Sequence, residues 1–361
     1  MRGKVTYVPG PLVGLTQKCF WWSSNNISGY KYPAILLSAP YFMKESRDSM
    51  LIENDVLVVG DSGGFQILTG KIDWLEPISI LRWQEANCDI GIALDVPPVS
   101  SINSIPNSSF VEKCAEKSAR NYEIAERNRR SDKLILLKPL QGTKLEHLEI
   151  WYNSTKSIEL DGYALAPKPI DDPMVFALQV IFIHEREEQE RTHIFLGSGL
   201  HVIPVIIYST YFFKSVTFDS TVPSTYGANR IYTIFYAPTS FRIQIPSRRN
   251  PPNMRRLPCD CPVCSKVSYA DFCKGENDAV GLFVLHNLFT FLKYIHVLDA
   301  LCDDKDLFLQ YVESFCKDET TKAIEMMMYY EEGHATKECY KKFLPYFKFS
   351  RQQSLRQSRL I

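Results

Sequence analysis

Hydrophobic positions in the first two thirds of the chain fall in short, continuous, β-branched runs that stop abruptly at a small or polar residue. They are Val56 to Gly60 before Asp61, Ile90 to Leu94 before Asp95, Leu134 to Leu137 before Gln141, and Gly162 to Leu165 before Ala166. His193 to Leu196 before Gly197 and Ser215 to Phe218 before Asp219 complete the series, and Ala34 to Ser38 is an earlier candidate. Unbroken apolar runs of this length fit strands buried on both faces, as in a parallel sheet. Segments of helical composition lie between them: Pro77 to Asn87, Ser109 to Asn128 and Leu145 to Ile158. The run ends at 61, 95, 141, 166, 197 and 219 are spaced 22 to 46 residues apart, which suits repeated strand-helix-strand units. This pattern predicts an α/β fold, a (β/α)8 TIM barrel, with a doubly wound open sheet as the architectural alternative.

The barrel reading gives the strand ends a meaning, because parallel barrels carry their active sites at the carboxyl ends of strands. Asp61, Asp95, Gln141, Gly197 and Asp219 all occupy such ends. One acid there is an ordinary helix cap or turn former. Three acids after three buried strands point to chemistry.

Downstream the texture changes. From about Tyr232 to Lys274 the chain reads as Pro- and Arg-rich loop, with Arg248-Arg249 and Arg255-Arg256 around Pro251-Pro252. Beyond Asn277, Leu282, Leu285, Leu288, Phe289 and Leu292 fall at helical spacing. The expected organisation is a main barrel part over 1–231, a basic loop and zinc-binding subdomain over 232–290, and a helical carboxyl-terminal region over 291–361.

With 361 residues, 45% hydrophobic and 23% charged, the chain is an ordinary globular protein able to bury a large core. Forty-one basic and forty-one acidic side chains cancel, so any anionic partner must be held by local patches. The start of the chain shows no apolar signal block, and the most apolar stretch, 201–218, is broken by His201, Pro204 and Lys214. A cytoplasmic protein without a membrane partner is expected.

Ten cysteines are too few for a disulfide scaffold, and three crowd into Cys259, Cys261 and Cys264. A tight turn can aim three such thiolates at one tetrahedral ion. His286 is a candidate fourth donor, with Cys273 and His296 as alternatives. Three thiolates and an imidazole select zinc, and a closed four-ligand shell makes it structural, one Zn2+ per chain.

Asp61-Ser62-Gly63-Gly64-Phe65-Gln66 after a buried strand resembles the Asp-Ser-Gly-Gly-aromatic-Gln motif of the tRNA-guanine transglycosylase superfamily. Further landmarks follow in family order: Ala93-Leu94-Asp95 with Pro97-Pro98, Leu140-Gln141-Gly142, Asp161-Gly162-Tyr163-Ala164, Leu196-Gly197-Ser198-Gly199, and Phe218-Asp219 with Pro223. Cys259, Cys261, Cys264 and His286 match that family's zinc ligands, and the resemblance spans roughly Val56 to Leu292. It implies a base-exchange transglycosylase, a pentosyltransferase, that replaces guanine with a 7-deazaguanine without cutting the polynucleotide. Asp219 would be the nucleophile and Asp61 the general acid/base. Asp95 and Gln141 would read the guanine edge and Phe65 stack on the base, with Ser62, Ala166, Leu196 and Gly197 lining the pocket.

Two departures bear on the substrate. Members acting on tRNA continue Gly-Tyr-Ala with a Gly-Gly-Leu segment, whereas this chain has Gly162-Tyr163-Ala164-Leu165-Ala166-Pro167-Lys168, with a proline that removes an N–H donor. After the nucleophile they carry arginines that hold uridines beside the target, and here Thr225 and Ala228 stand in those places. Losing both planar forks removes a direct means of reading an anticodon loop. The resemblance therefore leans toward the DNA 7-deazaguanine transglycosylases of phage and bacterial DNA-modification systems, with 7-cyano-7-deazaguanine or a relative as incoming base. A tRNA-acting enzyme is the alternative, and a non-catalytic partner subunit a further one. Arg248, Arg249, Arg255 and Arg256 would contact phosphates, with Lys341, Lys342 and Arg351 as a second set. A homodimer or accessory proteins are compatible partners.

Overall fold

In a computed structural model of the chain, residues 2–68, 70, 73, 75–99, 105–166, 172–187, 191–195, 199–235, 240–245, 247, 257–275 and 277–349 are described. Eight strands form one all-parallel sheet: β1 Lys4–Pro9, β2 Ala34–Ser38, β3 Leu57–Asp61, β4 Ile90–Ile92, β5 Ile135–Gln141, β6 Gly162–Ala166, β7 Arg191–Phe195 and β8 Ser215–Ser220. The order runs β1-β8-β7-β6-β5-β4-β3-β2, and β1 and β2 lie side by side to make the seam of a nearly closed barrel. The Tyr32 hydroxyl ties that seam by donating to the Tyr7 carbonyl at 2.6 Å. The expected β/α barrel is the observed architecture.

Helices fill the crossovers. They are α1 Ala39–Phe42, α2 Gly64–Leu68, α3 Pro77–Asn87, α4 Ser108–Asn128, α5 Leu145–Thr155, α6 Pro173–Arg186, α7 Ile203–Tyr208 and α8 Val222–Ala228. Their starts follow local chemistry. Proline occupies the first turn of α3, α6 and α8, where its missing N–H has no helical partner to lose. Asn107 caps α4 by accepting from the Phe110 N–H, and Asp172 caps α6 by accepting from the Met174 N–H.

Two apolar layers result. A small cluster inside the barrel joins Val8, Ala34, Leu36, Val59, Ile90, Ile92, Leu137 and Ala164, while a much larger one packs the outer strand faces against the helices. Alternate residues along a strand point inward, so the last inward position of each strand faces the carboxyl-end mouth of the barrel. Those positions are Ser38, Asp61, Gln141, Ala166, Phe195 and Asp219.

After α8 the chain differs from its Pro-rich loop appearance. A hairpin of β9 Ile231–Phe235 and β10 Ser240–Gln244 stands there, followed by α9 Tyr269–Cys273. The β9 run Ile-Tyr-Thr-Ile-Phe has strand composition, which the neighbouring prolines and arginines mask in the sequence. Helix α10 Asn277–Leu301 then runs unbroken through residue 290, and α11 Lys305–Phe315, α12 Asp318–Glu331 and α13 Thr336–Phe343 follow. Within α10, residues Ala279–Leu301 are long and apolar enough to cross a membrane, and 67% of the most apolar window is buried within the protein. Asn287 fixes this helix to the hairpin: its Oδ1 accepts from the Thr233 N–H and its Nδ2 donates to the Ile231 carbonyl.

Candidate active site and metal centre

A cavity of about 390 Å³ opens at the mouth of the barrel. Its walls bring together Asp61, Phe65, Asp95, Gln141, Ala166 and Asp219, six residues singled out from the sequence. Strand register makes the arrangement compact, pairing Ser38 with Asp61, Gln141 with Ala166 and Phe195 with Asp219 across adjacent strands. Ser62 is buried and is not part of the lining. Leu196, Gly197, Arg248, Arg249, Arg255, Arg256 and Arg351 lie outside the described residues.

Asp61 accepts from the Ser38 hydroxyl at Oδ2, 2.9 Å away, and from the Gly63 N–H. Burial pushes its carboxyl up from the ordinary range, these two hydrogen bonds oppose the shift, and the nearby Asp219 adds to it. An acid held above its usual pKa next to one facing the same cavity is the electrostatic arrangement of a proton donor beside a nucleophile. Gly63 is required by its backbone, at φ +80°. Gly64 is required by space, because a Cβ there would meet the Asp95 carbonyl and Oδ1 at 2.7 Å.

Asp95 is buried, and Gln141 Nε2 donates to its Oδ2 at 2.7 Å. Asp95 is pushed up to about 7, chiefly by desolvation, with the Gln141 bond opposing the shift and the charge of Asp61 adding to it. Gln141 Oε1 is buried and has no hydrogen-bond partner among the described residues. A carboxylate and an amide with an unused buried oxygen form a polar edge suited to a planar ligand with several donors. Phe65 on α2, 38% exposed, provides an aromatic surface at the mouth.

Residues that the sequence did not single out complete the pocket. Ser38 belonged to a recognised strand but was not read as chemical. His193 opened an apolar run and was counted only as strand, yet its Nε2 lies 3.5 Å from Asp219 Oδ1. Phe195 and the amino-terminal residues Gly10, Pro11, Leu12 and Val13 also line the cavity, brought there by β7 and by the chain leaving β1. For Ser38, His193 and Phe195 the local signal was alternation with the next inward residue of the same strand; residues 10–13 carried none.

The metal-ligating side chains meet on the far side of the hairpin. Ligand atoms of Cys259, Cys261, Cys264 and His286 all lie within 4.8 Å of one another. Cys261 Sγ and Cys264 Sγ are each 3.4 Å from His286 Nδ1. The donor set fits a closed tetrahedral shell, and a bound zinc at about 2.0–2.3 Å from each ligand needs this kind of crowding. His286 Nε2 donates to the Thr233 carbonyl at 2.9 Å, which turns Nδ1 toward the thiols. Tyr232 stacks on the imidazole at 3.7 Å between ring centroids, and its hydroxyl sits 3.2 Å from Cys264 Sγ. The site thus joins β9, the cysteine turn and α10, and none of its four ligands lines the cavity. Neither Cys273 nor His296 belongs to the cluster.

Comparison with known proteins agrees with this geometry. No protein-family model matches the chain. It is 22% identical over 265 residues to the tRNA-guanine(15) transglycosylase of Saccharolobus solfataricus, covering 70% of this chain and 49% of that protein. The enzyme of that name from Methanocaldococcus jannaschii is 23% identical over 261 residues, 70% of this chain and 38% of its own length. That of Methanosarcina barkeri is 24% identical over 298 residues, 78% of this chain and 57% of its own. The chain is a distant homologue of these archaeal enzymes, at the level of the superfamily, and spans about half the length of the curated relatives it matches.

Proposed function

We propose, from this distant homology and the geometry of the barrel mouth, that the protein is a transglycosylase that exchanges guanine in a polynucleotide for a 7-deazaguanine. The observation that carries the reading is the convergence of Asp61, Asp95, Gln141 and Asp219, from four separate strand ends, on one cavity. Cleaving the bond between a sugar and guanine develops positive charge at the anomeric carbon and negative charge on the base. Asp219 attacks that carbon to form a covalent sugar ester, while Asp61, with its raised pKa, gives the departing base a proton. The incoming base returns a proton to Asp61 and displaces the carboxylate. Asp95 accepts from the donors on the guanine edge, Gln141 holds Asp95 and offers its remaining polar atoms, and Phe65 stacks on the ring. Zinc held by Cys259, Cys261, Cys264 and His286 pins the hairpin to α10 and takes no part in the chemistry.

DNA is the polynucleotide we assign, with 7-cyano-7-deazaguanine as incoming base. Thr225 and Ala228 on α8 follow the nucleophile where tRNA-acting members present arginines, so the forks that would hold an anticodon loop are missing at this wall. Deoxyribose lacks the electron-withdrawing 2′-hydroxyl, so the same two acids suffice, and the target base must leave the stack to reach a cavity this deep. The archaeal relatives, tRNA-guanine(15) transglycosylases by name, favour the second reading, exchange in tRNA. Incubation of the protein with labelled guanine or 7-cyano-7-deazaguanine and either nucleic acid separates the two. Label entering DNA is the expected result, label entering tRNA alone gives the second reading, and label entering neither overturns the function.

A further inference from the structure

One layer below the cavity the barrel interior departs from its aliphatic pattern. Leu36 on β2, Val59 on β3 and Ala164 on β6, with Pro139 as the β5 ladder partner of Ala164, fill the inward positions there. On β7 and β8 the corresponding residues are His193 and Thr217, ladder partners of each other, immediately beneath the paired Phe195 and Asp219. His193 is fully buried. Its Nδ1 lies 2.9 Å from Thr217 Oγ1, while its Nε2 has no hydrogen-bond partner among the described residues and points toward Asp219 Oδ1, 3.5 Å away. A buried imidazole nitrogen without a partner is costly, and a leucine would fill the layer without that penalty. The polar pair sits directly beneath the carboxylate.

We infer that His193 is a positioning residue for Asp219, an inference that rests on the base-exchange reading above. The Thr217 hydroxyl donates to Nδ1, which fixes the tautomer carrying the proton on Nε2. That N–H donates to Asp219 Oδ1, and the contact shortens when substrate fills the cavity. One carboxylate oxygen is thereby held and the other turned to the sugar. His193 transfers no proton. In the first half-reaction a bond forms from the second oxygen of Asp219 to the anomeric carbon as the carbon–nitrogen bond breaks, and the electron pair left on the base takes a proton from Asp61. In the second, the incoming base loses its proton to Asp61 and bonds to that carbon, and the ester carbon–oxygen bond breaks with its electrons returning to Asp219. Negative charge reappears on Asp219 in this second half, so the His193 donor acts chiefly there. Phe195 meets the imidazole edge-on, with ring centroids 4.8 Å apart, and also lines the cavity, which keeps water from replacing the histidine.

Two amide substitutions separate positioning from packing. His193→Gln places an N–H at the reach of Nε2, whereas His193→Asn places its amide at the reach of Nδ1 and leaves Asp219 without the donor. The Asn variant should lose about 10- to 100-fold in kcat, with the KM for the polynucleotide falling as the sugar–Asp219 adduct accumulates, while the Gln variant stays within about fivefold of wild type. Equal losses in both variants, tracking a fall in Tm, would overturn the inference. Histidine-ring ¹⁵N spectra test the couple without turnover, the His193 signals being those missing from His193→Gln. An Nε2-protonated ring whose resonances move in Asp219→Asn is expected. An Nδ1-protonated ring, or one indifferent to Asp219→Asn, overturns it. Failure of wild-type protein to exchange any base would instead sink the proposed function, with the spectra still deciding the couple.

Discussion

Ser38 and Asp61 are ladder partners on β2 and β3, and the Ser38 hydroxyl donates to Asp61 Oδ2 at 2.9 Å. This bond favours the ionised carboxylate and opposes the desolvation that lifts its pKa. Ser38→Ala removes one of the two hydrogen bonds that oppose desolvation and the charge of Asp219, leaving the one from the Gly63 N–H. The limb of the pH–rate profile that reports Asp61 should move to higher pH, with kcat at neutral pH falling less than about tenfold. A profile superimposable on that of wild type would remove Ser38 from the acid/base machinery.

Asp219→Asn keeps the shape of the side chain and removes the attacking oxygen charge. Trapping of a covalent adduct on denaturing gels should disappear, and exchange should drop by about 10³-fold or more, with folding unchanged. A stable adduct formed at a different residue would refute the nucleophile assignment.

Asp95 ties stability to pH. Its folded pKa of about 7 lies above the ordinary aspartate value of 3.8, so the folded protein keeps a proton that the unfolded chain has released. The sign follows: this group weakens the fold as pH rises through that window, and the full penalty stands above the folded pKa. Asp95→Asn retains an acceptor for Gln141 Nε2 and escapes the ionisation. Urea unfolding should show the variant more stable than wild type by about 1–3 kcal/mol at pH 8 and equal to it near pH 4, while exchange falls by about 100-fold or more. A variant less stable at pH 8 would mean that the Gln141 bond to the carboxylate outweighs its burial.

Cys261 is buried at the centre of the metal cluster. Chelation or Cys261→Ser should release the hairpin and α10 together, read as loss of zinc by atomic absorption, new protease cleavage between residues 245 and 275, and a lower Tm. Intact structure with lost turnover would contradict a structural ion.

Much of the barrel was legible because its strands are buried on both faces and so appear as unbroken apolar runs. Helices beginning at Pro77 and near Ser109 and Leu145 carried equally local signals, a proline at the first turn or an amphipathic repeat. The hairpin at Ile231–Phe235 was obscured by the prolines and arginines after it, and its partner strand is mostly exposed and carries no apolar run. α6 was missed for the opposite reason: nearly every residue from Pro173 to Ile183 is buried, so the helix has no polar face to mark its period.

The chain by itself determined which residue types stand at the strand ends, the Asp-Ser-Gly-Gly motif, and the cysteine spacing, because each depends on near neighbours along the backbone. Tertiary structure decided which of them meet. Strand register set Ser38 against Asp61, inward alternation stacked His193 under Asp219, and the crossing of α10 over β9 turned His286 Nδ1 toward three thiols. Around the barrel such pairings join residues 23 to 46 positions apart, and Cys264 meets His286 22 positions away outside it; only closure of the barrel and docking of its last helices fix the distances on which hydrogen bonds and proton affinities depend.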